Sequence, residues 1–515
     1  MNRTVAGRIA AAAVRTSGSI VTLALVPRPL RCETSDSEPF TLGESTTLVV
    51  EPRPELIAVG VLAADLLGRV TGRAIEVRYA DDAARTRDVI RLRLVAPGTE
   101  ADAAFVAGDE AYRLEVRRDR VEVLARSAAG LTHAVITLRQ LLRQAGDGRW
   151  SVPVASVEDV PRFAWRGLSL DVARHFLGVD AVKVVIGLMA HYKLNVLHLH
   201  LTDDQGWRIH TPSRPALTRL SSDTAVGGDP GGFYSPSDYA DLTAYAAARG
   251  IVVVPEIDVP GHVNAATHAY GELTPSGEPT DVYQGIEVGF SRLHAAAPAT
   301  TPFLEAVFGD IAAMTPGEYV HIGGDEVLTM EHDEYAGLVD TAARVVRAAG
   351  KKVVGWQEIA HTPLEPGTVV QYWDPRADPA PFVAAAHAGA RFLMSPASKV
   401  YLDMKYDAST ELGLEWAGYV EVRDSYDWEP TTLIDGLPAE AVVGVEAAIF
   451  TETVRDLDGL LSLLLPRLAA VAEVAWTAPE QRDWDDFRAR VAQHARFWDR
   501  LGLPWTASPQ VDWER

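Results

Sequence analysis

The sequence predicts an α/β protein whose main part is a closed (β/α)8 barrel of the TIM-barrel class, preceded by a small α/β domain. Between residues 161 and 480, apolar strand-like runs alternate with amphipathic helical patterns, which is the order of βα units around a parallel sheet. Eight such runs in about 300 residues fit a closed barrel better than the alternative, an open doubly wound sheet. The predicted strands are GLSLDV, LNVLHLHL, IVVVPEID, YVHIGG, KVVGW, TVVQYW, RFLMS and VVGVEAAIF.

The segments that flank the predicted barrel differ from it in pattern. Residues 37–160 alternate short β-branched runs such as VIRLRLV with helical patterns, and we expect a non-catalytic α/β domain whose last helix lies near 129–144. Residues 1–36 are expected to be an extension, disordered or signal-like, because arginines surround two short apolar runs. Residues 481–515 are expected to form a helix and a tail that pack on the barrel.

The composition excludes several classes of protein. The chain has 515 residues, and its 48 Lys and Arg against 70 Asp and Glu give a net charge of −22, which repels nucleic acid and anionic membranes alike. A single cysteine, Cys32, excludes an intramolecular disulfide and a cysteine-based metal site. No run approaches the roughly 20 apolar residues of a membrane span. Since no clean cleavage site is visible, we favour a cytoplasmic location, with a secreted form as the alternative.

Polar and aromatic side chains cluster where the predicted strands end, which is the face of a (β/α)8 barrel that carries active sites. Carboxylates accept hydrogen bonds from hydroxyl groups, and aromatic faces stack on the apolar face of a pyranose, so this composition indicates a sugar site. Asp171, Arg174, Asp203, Asp204, Asp258, His262, Asp325 and Glu326 end the first four strands, and Trp356, Trp373 and Glu452 follow the fifth, sixth and eighth.

Two consecutive carboxylates, Asp325 and Glu326, end the glycine-containing run HIGGDE. A conventional retaining glycosidase holds its nucleophile and its acid about 5 Å apart on either side of the scissile bond. Neighbours with Cα atoms about 3.8 Å apart are poorly placed for that division of labour. They suit a mechanism in which the substrate's 2-acetamido oxygen attacks the anomeric carbon, one carboxylate stabilises the acetamide, and the other is acid and base. A solvated strand end is the alternative interpretation.

The histidines allow a competing interpretation. His198 and His200 share one face of the second strand, and such a pair can bind metal, as in a metal-dependent hydrolase. We favour hydrogen-bonded interior histidines instead, and predict no metal and no cofactor. His262 follows a Pro-Gly turn and could form, with Asp203 and Glu326, a carboxylate–imidazole–carboxylate relay that tunes the pKa of the acid.

Several runs together resemble the family-20 glycoside hydrolases, the β-N-acetylhexosaminidases. The resemblance covers residues 161–480 in consistent order, and the preceding domain resembles the non-catalytic N-terminal domain of that family. It implies an exo-acting, retaining enzyme that removes terminal β-linked N-acetylglucosamine or N-acetylgalactosamine from glycans or chitooligosaccharides through an oxazolinium intermediate. The runs are DVARHF, HLHLTDDQGWR, VPEIDVPGH, HIGGDE, GWQE, QYW, YLDMKY, WAGY and FTET.

The resemblance also implies roles for individual residues. Asp325 would orient the acetamide, Glu326 would be the general acid and base, and Tyr401 would hydrogen-bond the acetamide oxygen, with Asp203 and His262 as the relay. The implied substrate-binding residues are Arg174, Asp403 and Glu452 on the hydroxyl groups, Trp356 and Trp373 around the acetamide, and Trp416 on the leaving-group side; Asp258 joins them by its strand-end position and Phe450 as a pocket wall.

One position departs from the family pattern. Phe450 stands where the family usually has a tryptophan, and its ring is smaller and lacks the indole N–H donor. We therefore expect a roomier pocket and binding weaker by on the order of 1 kcal/mol. The remaining alternatives are a sugar-binding barrel without turnover and an endo-acting, chitinase-like enzyme. For assembly, a monomer and a homodimer both stay open.

Overall fold

The structure is a computed structural model that describes residues 23–79, 87–103 and 105–514. A domain with a mixed β-sheet precedes a closed barrel of parallel strands, so the predicted fold class is confirmed. Most of the expected N-terminal extension, residues 1–22, lies outside the described residues.

The first domain combines two sheets with three helices in its described part. Its strands are β1 (Arg31–Thr34), β2 (Phe40–Leu42), β3 (Thr47–Val50), β4 (Glu76–Tyr79), β5 (Val89–Leu94), β6 (Tyr112–Arg117), β7 (Arg120–Ala125), β8 (Arg143–Gln144), β9 (Trp150–Val152) and β10 (Ala155–Asp159), and its helices are α1 (Pro54–Thr71), α2 (Glu100–Ala103) and α3 (Ala128–Leu141). Seven strands form one sheet in the order β1-β10-β6-β7-β5-β3-β4, and β2-β9-β8 form a smaller antiparallel sheet.

Two boundaries in this domain differ from those predicted. Strand β1 pairs antiparallel with β10, with Cys32 opposite Val157, so the sheet already begins inside the range expected to be an extension. Helix α3 begins after Ser127, whose hydroxyl accepts from the Gly130 N–H as an N-cap. It ends three residues earlier than predicted, because Leu142 adopts an extended backbone conformation that leads into β8.

The barrel contains the eight strands predicted from the sequence. They are β11 (Trp165–Asp171), β12 (Val196–His200), β15 (Val252–Glu256), β16 (Tyr319–His321), β17 (Lys352–Trp356), β18 (Val369–Tyr372), β19 (Arg391–Met394) and β20 (Val442–Ile449), and a short hairpin of β13 (Thr202–Asp203) and β14 (Gly206–Trp207) follows β12. All neighbouring barrel strands are parallel, and β11 pairs with both β12 and β20, which closes the barrel. Hydrophobic residues of alternate positions pack against the surrounding helices.

The helices of this part surround the barrel or cap it. They are α4 (Val179–His191), α5 (Ala216–Ser221), α6 (Pro236–Ala247), α7 (Asn264–Ala269), α8 (Thr300–Met314), α9 (His332–Ala348), α10 (Ala380–His387), α11 (Ala397–Val400), α12 (Leu457–Leu464), α13 (Arg467–Trp476), α14 (Trp484–Ala492) and α15 (Ala495–Leu501). Arg490 of α14 pairs with Glu473 of α13 at 2.6 Å, and the Trp498 indole of α15 donates to the Tyr192 hydroxyl at 3.0 Å. The C-terminal segment is thereby attached to the barrel.

No helix in the described residues is, by itself, long and apolar enough to cross a bilayer; α12 and α13, which meet at 53°, reach that length and composition only as a pair.

Buried polar contacts join the two domains. The carboxylate of Asp159, at the end of β10, accepts hydrogen bonds from the Tyr112 hydroxyl at 2.7 Å, the Lys193 ammonium at 3.0 Å and the Trp476 indole at 2.9 Å. Both side chains of the Lys193–Asp159 ion pair are removed from solvent. A buried ion pair is stable only when its remaining hydrogen-bonding capacity is also used. The neutral donors, the Tyr112 hydroxyl and the Trp476 indole, therefore contribute to the contact between the domains.

Candidate active site

A pocket of about 220 Å³ opens at the C-terminal ends of the barrel strands, where the sequence predicts the site. It brings together most of the predicted residues from distant parts of the chain. The residues that line it are Arg174, Ile286, Val288, Asp325, Glu326, Trp373, Arg376, Tyr401, Asp403, Leu414, Trp416, Phe450 and Glu452.

The turn after β16 places two consecutive carboxylates on this pocket. Gly323 has a φ of 71°, and a Cβ atom there would lie 1.8 Å from Oδ1 of Asp258, so only glycine fits. The Gly324 N–H donates to the same Oδ1 atom at 3.1 Å. Glu326 has a φ of 51°, a left-handed conformation that is uncommon for a residue with a side chain. This turn directs both Asp325 and Glu326 to the pocket instead of to opposite sides.

The predicted relay is assembled behind Glu326. Nε2 of His262 lies 3.5 Å from Glu326 Oε2, and Nδ1 of His262 lies 3.2 Å from Asp203 Oδ1. The other Asp203 oxygen is 2.7 Å from Nη2 of Arg174. Burial disfavours the imidazolium, but Asp203 and Asp325 outweigh it and hold the pKa of His262 well above its usual range. The pKa of Asp203 is well below its usual range, since Arg174 and His262 outweigh the burial of its carboxylate.

Asp325 lies between a second carboxyl group and the relay histidine. Its Oδ2 atom is 3.7 Å from Nε2 of His262, and it hydrogen-bonds to Asp258. Burial raises the pKa of Asp258 well above its usual range, and the charge of Asp325 adds to this effect. Burial raises the pKa of Asp325 as well, although His262 opposes it, so the two carboxyl groups titrate as a pair in which Asp258 is protonated more readily. This is a supporting position, and among the described residues Asp258 is not in the pocket lining, where it was expected to bind substrate.

Aromatic rings form one wall of the pocket. Trp373 and Tyr401 are nearly parallel, at 16° with centroids 6.4 Å apart, and Trp416 meets both rings edge-on at 5.9 and 5.8 Å. Phe450 lies 5.4 Å from Tyr401. Trp416 is 45% exposed and marks the rim, whereas the other three rings lie deeper. Aromatic faces on a pocket wall can stack on a flat group such as an amide.

Acidic groups and Arg174 also line the pocket. Burial raises the pKa of Glu452 to about 7, with Arg174 opposing this effect and Asp171 adding to it. Burial and the neighbouring Glu452 raise the pKa of Asp403 well above its usual range. Oδ1 of Asp403 is buried without a hydrogen-bond partner in the described residues, so it is available to a hydroxyl group of a ligand.

Models of two domains match the chain. The one described as glycosyl hydrolase family 20, catalytic domain, matches residues 163–337 and 330–479, and the one described as glycosyl hydrolase family 20, domain 2, matches residues 22–160. The chain belongs to glycoside hydrolase family 20. A β-N-acetylhexosaminidase of Cellulomonas fimi is 70% identical over 491 residues, which cover 95% of this chain and 97% of that protein. A β-hexosaminidase of Vibrio furnissii is 32% identical over 88% of this chain and 76% of its own length.

Solved structures of family 20 agree with these relatives. The β-N-acetylhexosaminidase of Streptomyces coelicolor A3(2) is 42% identical with a TM-score of 0.90, covering 96% of this chain and 99% of that chain. A mutant β-hexosaminidase of Streptomyces plicatus, solved with the product GlcNAc, has the same identity and TM-score and covers 96% and 98%. The predicted enzyme class, a β-N-acetylhexosaminidase and hence a glycoside hydrolase, is confirmed by these findings.

One aromatic residue of this family-20 site is not where it was expected. Trp356, predicted as a wall of the acetamide pocket, is 1% exposed, and its indole N–H donates to Oε1 of Glu256 at 2.7 Å. The described residues that line the pocket do not include it. Its ring lies 6.3 Å from Phe450, so it supports the wall from inside the barrel.

The His-x-His pair of β12 belongs to a polar network inside the barrel. Glu256 is within 2.8 Å of His198 Nε2 and 2.6 Å of His200 Nδ1, and Glu446 is 2.9 Å from the other nitrogen of His198. Although burial opposes it, the charge of Glu256 raises the pKa of His198 to about 9. A protonated imidazole has no lone pair to offer a metal. Histidines and carboxylates also approach each other closely enough for ligation, as in His198, Glu256 and His321.

Sequence reasoning missed several residues around the pocket. Glu358 accepts from the Trp373 indole at 3.2 Å with both oxygens, and burial together with Asp325 raises its pKa to about 8. Its signal was present in the run GWQE, where an acid follows the end of β17 by two positions. Ile286 and Val288 come from the long connection between α7 and α8, where no periodic pattern marks them.

Proposed function

We propose that this family-20 protein is an exo-acting, retaining β-N-acetylhexosaminidase that uses the acetamide group of its own substrate as nucleophile. The observation that carries the proposal is the turn at Glu326, which directs two consecutive carboxylates to a pocket walled by Trp373 and Tyr401. Consecutive carboxylates on one wall cannot flank the anomeric carbon in the way that an enzymic nucleophile and an acid do.

Each step uses a group that lines the pocket. The acetamide oxygen attacks C1 while Glu326 donates its proton to the glycosidic oxygen and the C1–O bond breaks. Asp325 accepts a hydrogen bond from the acetamide nitrogen, whose positive charge grows as the oxazolinium ring forms, and the Tyr401 hydroxyl holds the attacking oxygen. Glu326 then removes a proton from water, which attacks C1 from the face that the leaving group occupied, while the bond between C1 and the acetamide oxygen breaks and the acetamide is restored. Two inversions at C1 give net retention.

The acidic side of the pocket supports exo action on a terminal sugar. Arg174, Asp403 and Glu452 line the cavity, the first two buried and Glu452 partly buried. We infer that they form the end of the cavity that binds the hydroxyl groups of a non-reducing N-acetylglucosamine or N-acetylgalactosamine. A chain continuing past this end would meet the Arg174–Asp203 ion pair instead of open solvent. Hydrolysis of a chitooligosaccharide should therefore release only monosaccharide at early times, whereas early dimers and trimers would indicate endo action.

The decisive experiment compares aryl β-N-acetylglucosaminide with aryl β-glucoside for the wild type, Glu326→Gln and, as a matched control, the exposed Glu331→Gln. We expect cleavage of the acetamido substrate only, a loss of roughly 100-fold or more in Glu326→Gln, and no change in the control. NMR of the fresh product should show the β-anomer first. Equal cleavage of the plain glucoside would mean that the nucleophile belongs to the protein, and an initial α-anomer would exclude retention.

A further inference from the structure

A second cavity, of about 320 Å³, lies where the end of α3 meets α4, α14 and α15. It is remote from the strand ends of the active site, because α4 runs back along the barrel and reaches this cavity with its C-terminal residue His191. Among the residues that the structure describes, four arginines and no acidic residue line it. The lining consists of Ala24, Val70, Arg139, Gln140, Leu142, Arg143, Gln144, Trp150, His191, Gln493, His494, Arg496, Phe497 and Arg500.

Two of these arginines lack partners for buried donor atoms. Nε of Arg139 and Nη2 of Arg143 are buried without a hydrogen-bond acceptor in the described part of the chain. Burial lowers the pKa of Arg139 to about 10, which Tyr192 and the distant Asp65 only partly oppose. Burial also lowers the pKa of Arg143, against a small effect of Glu514. Both guanidinium groups therefore carry charge that nearby carboxylates do not fully compensate.

The neighbouring histidine adds an unsatisfied donor but no charge. His191 is 3% exposed, and neither of its ring nitrogens has a hydrogen-bond partner in the described residues. Burial and the charge of Arg139 hold its pKa well below its usual range, so the ring is neutral and keeps one N–H. Its ring stacks on Phe497 at 4.2 Å, and the guanidinium of Arg139 covers the same phenyl ring at 4.8 Å. These contacts fix both polar groups at the cavity wall.

The remaining cations are held at the cavity mouth. The Arg500 guanidinium lies 5.2 Å from the Trp150 ring, and Arg496 is 3.7 Å from Glu514, which is outside the lining. Nη1 of Arg143 donates to the carbonyl oxygens of Gln140 and Leu142, so the α3 end orients its free Nη2 atom.

We propose that this cavity binds a phosphate-type oxyanion, either free or as the charged group of a small molecule. Guanidinium groups present planar pairs of donors that match phosphate oxygens, and an anion in the cavity would lie beside Arg139 and Arg143, whose charges the protein does not fully compensate. The cavity is larger than one tetrahedral anion, and the apolar walls of Val70, Leu142 and Trp150 leave room for an uncharged part.

Isothermal titration of the full chain tests this site, with N-acetylglucosamine in excess so that the catalytic pocket is occupied. The titrants are inorganic phosphate, glucose 6-phosphate and, as the uncharged control, glucose. We expect one anion per chain and no binding of glucose. Arg139→Gln and Arg143→Gln should each lower the affinity for the anion at least about tenfold, because each removes a charged hydrogen bond. The matched control Arg118→Gln removes one exposed charge of the same domain and should leave affinity unchanged.

The titrants also distinguish the two sources of the oxyanion. Equal affinities for the two phosphates would assign the cavity to free phosphate, and tighter binding of the sugar phosphate would assign it to a phosphorylated small molecule. Activity on the aryl substrate and circular dichroism report whether the variants remain folded. The proposal is overturned if the folded wild type binds neither anion at concentrations up to about 10 mM. It is equally overturned if Arg118→Gln weakens binding as much as Arg143→Gln does.

Discussion

Nδ1 of His262 lies 3.2 Å from Oδ1 of Asp203, while the other nitrogen of the same ring faces Glu326 at 3.5 Å. The imidazolium is held by Asp203, so the raised pKa of His262 keeps the ring protonated through neutral pH. In Asp203→Asn this anion is lost and the pKa of His262 falls. We expect the basic limb of the kcat/KM profile, which would report loss of the His262 proton, to move to lower pH. At neutral pH, kcat/KM should fall roughly 10- to 100-fold. An unchanged profile would show that His262 does not assist Glu326.

Enlarging the ring at position 450 should tighten the pocket. Phe450 lies beside Tyr401 and 5.3 Å from the Arg174 guanidinium, so Phe450→Trp extends an existing wall. We expect a lower KM for the N-acetyl substrate, by a factor of about five, from added stacking. The ratio of N-propionyl to N-acetyl cleavage should also fall, because the larger ring occupies space that a longer acyl group needs. Parallel kinetics with both substrates measure the ratio, and a rise in it would contradict the roomier-pocket interpretation.

The raised pKa of Glu358 has a consequence for stability. Because its pKa is about 8 in the folded state and near its ordinary value in the unfolded chain, the folded state binds the extra proton between these pH values. Stability from this group is therefore present at low pH and is lost as pH rises through about 8. Glu358→Gln keeps an oxygen for Trp373 but cannot ionise. Urea unfolding at pH 5 and pH 8.5 should show a smaller loss of stability with pH in the variant than in the wild type.

Glu256 compensates the histidines inside the barrel. Burial alone would raise its pKa, yet His321, His200 and His198 hold it well below its usual range, so its contribution to stability is present above the unfolded-state pKa and lost in acid. Glu256→Gln leaves the His198 and His200 cations with one carboxylate partner each, Glu446 and Asp203, instead of two, and should destabilise the fold by about 3 kcal/mol near pH 7. The difference in the free energy of unfolding between the variant and the wild type should become smaller toward pH 9, where His198 loses its proton in the wild type. Denaturant unfolding at both pH values measures this difference. A difference that does not change with pH would contradict the ionic role of Glu256.

The eight barrel strands could be predicted because strands that are buried on both faces form apolar runs that stand out from the amphipathic helices. Once the strands were predicted, their C-terminal ends located Asp325 and Glu326, because the active sites of such barrels lie there. It failed for Trp356, since a strand end does not specify whether a large side chain projects into the pocket or toward Glu256 inside the barrel. It also could not find Ile286, which a long connection without periodicity brings to the pocket.

The Asp159 carboxylate accepts side-chain hydrogen bonds from Tyr112 in the first domain and from Lys193 and Trp476 in the barrel part, which makes the first domain a structural component of the enzyme instead of an appendage. Separating the domains would leave the Lys193 ammonium in an apolar surface without its anion, at a cost comparable to a large share of the stability of a typical domain. The two parts should therefore melt in a single cooperative step. A barrel expressed alone would expose a charged surface on the side away from its active site.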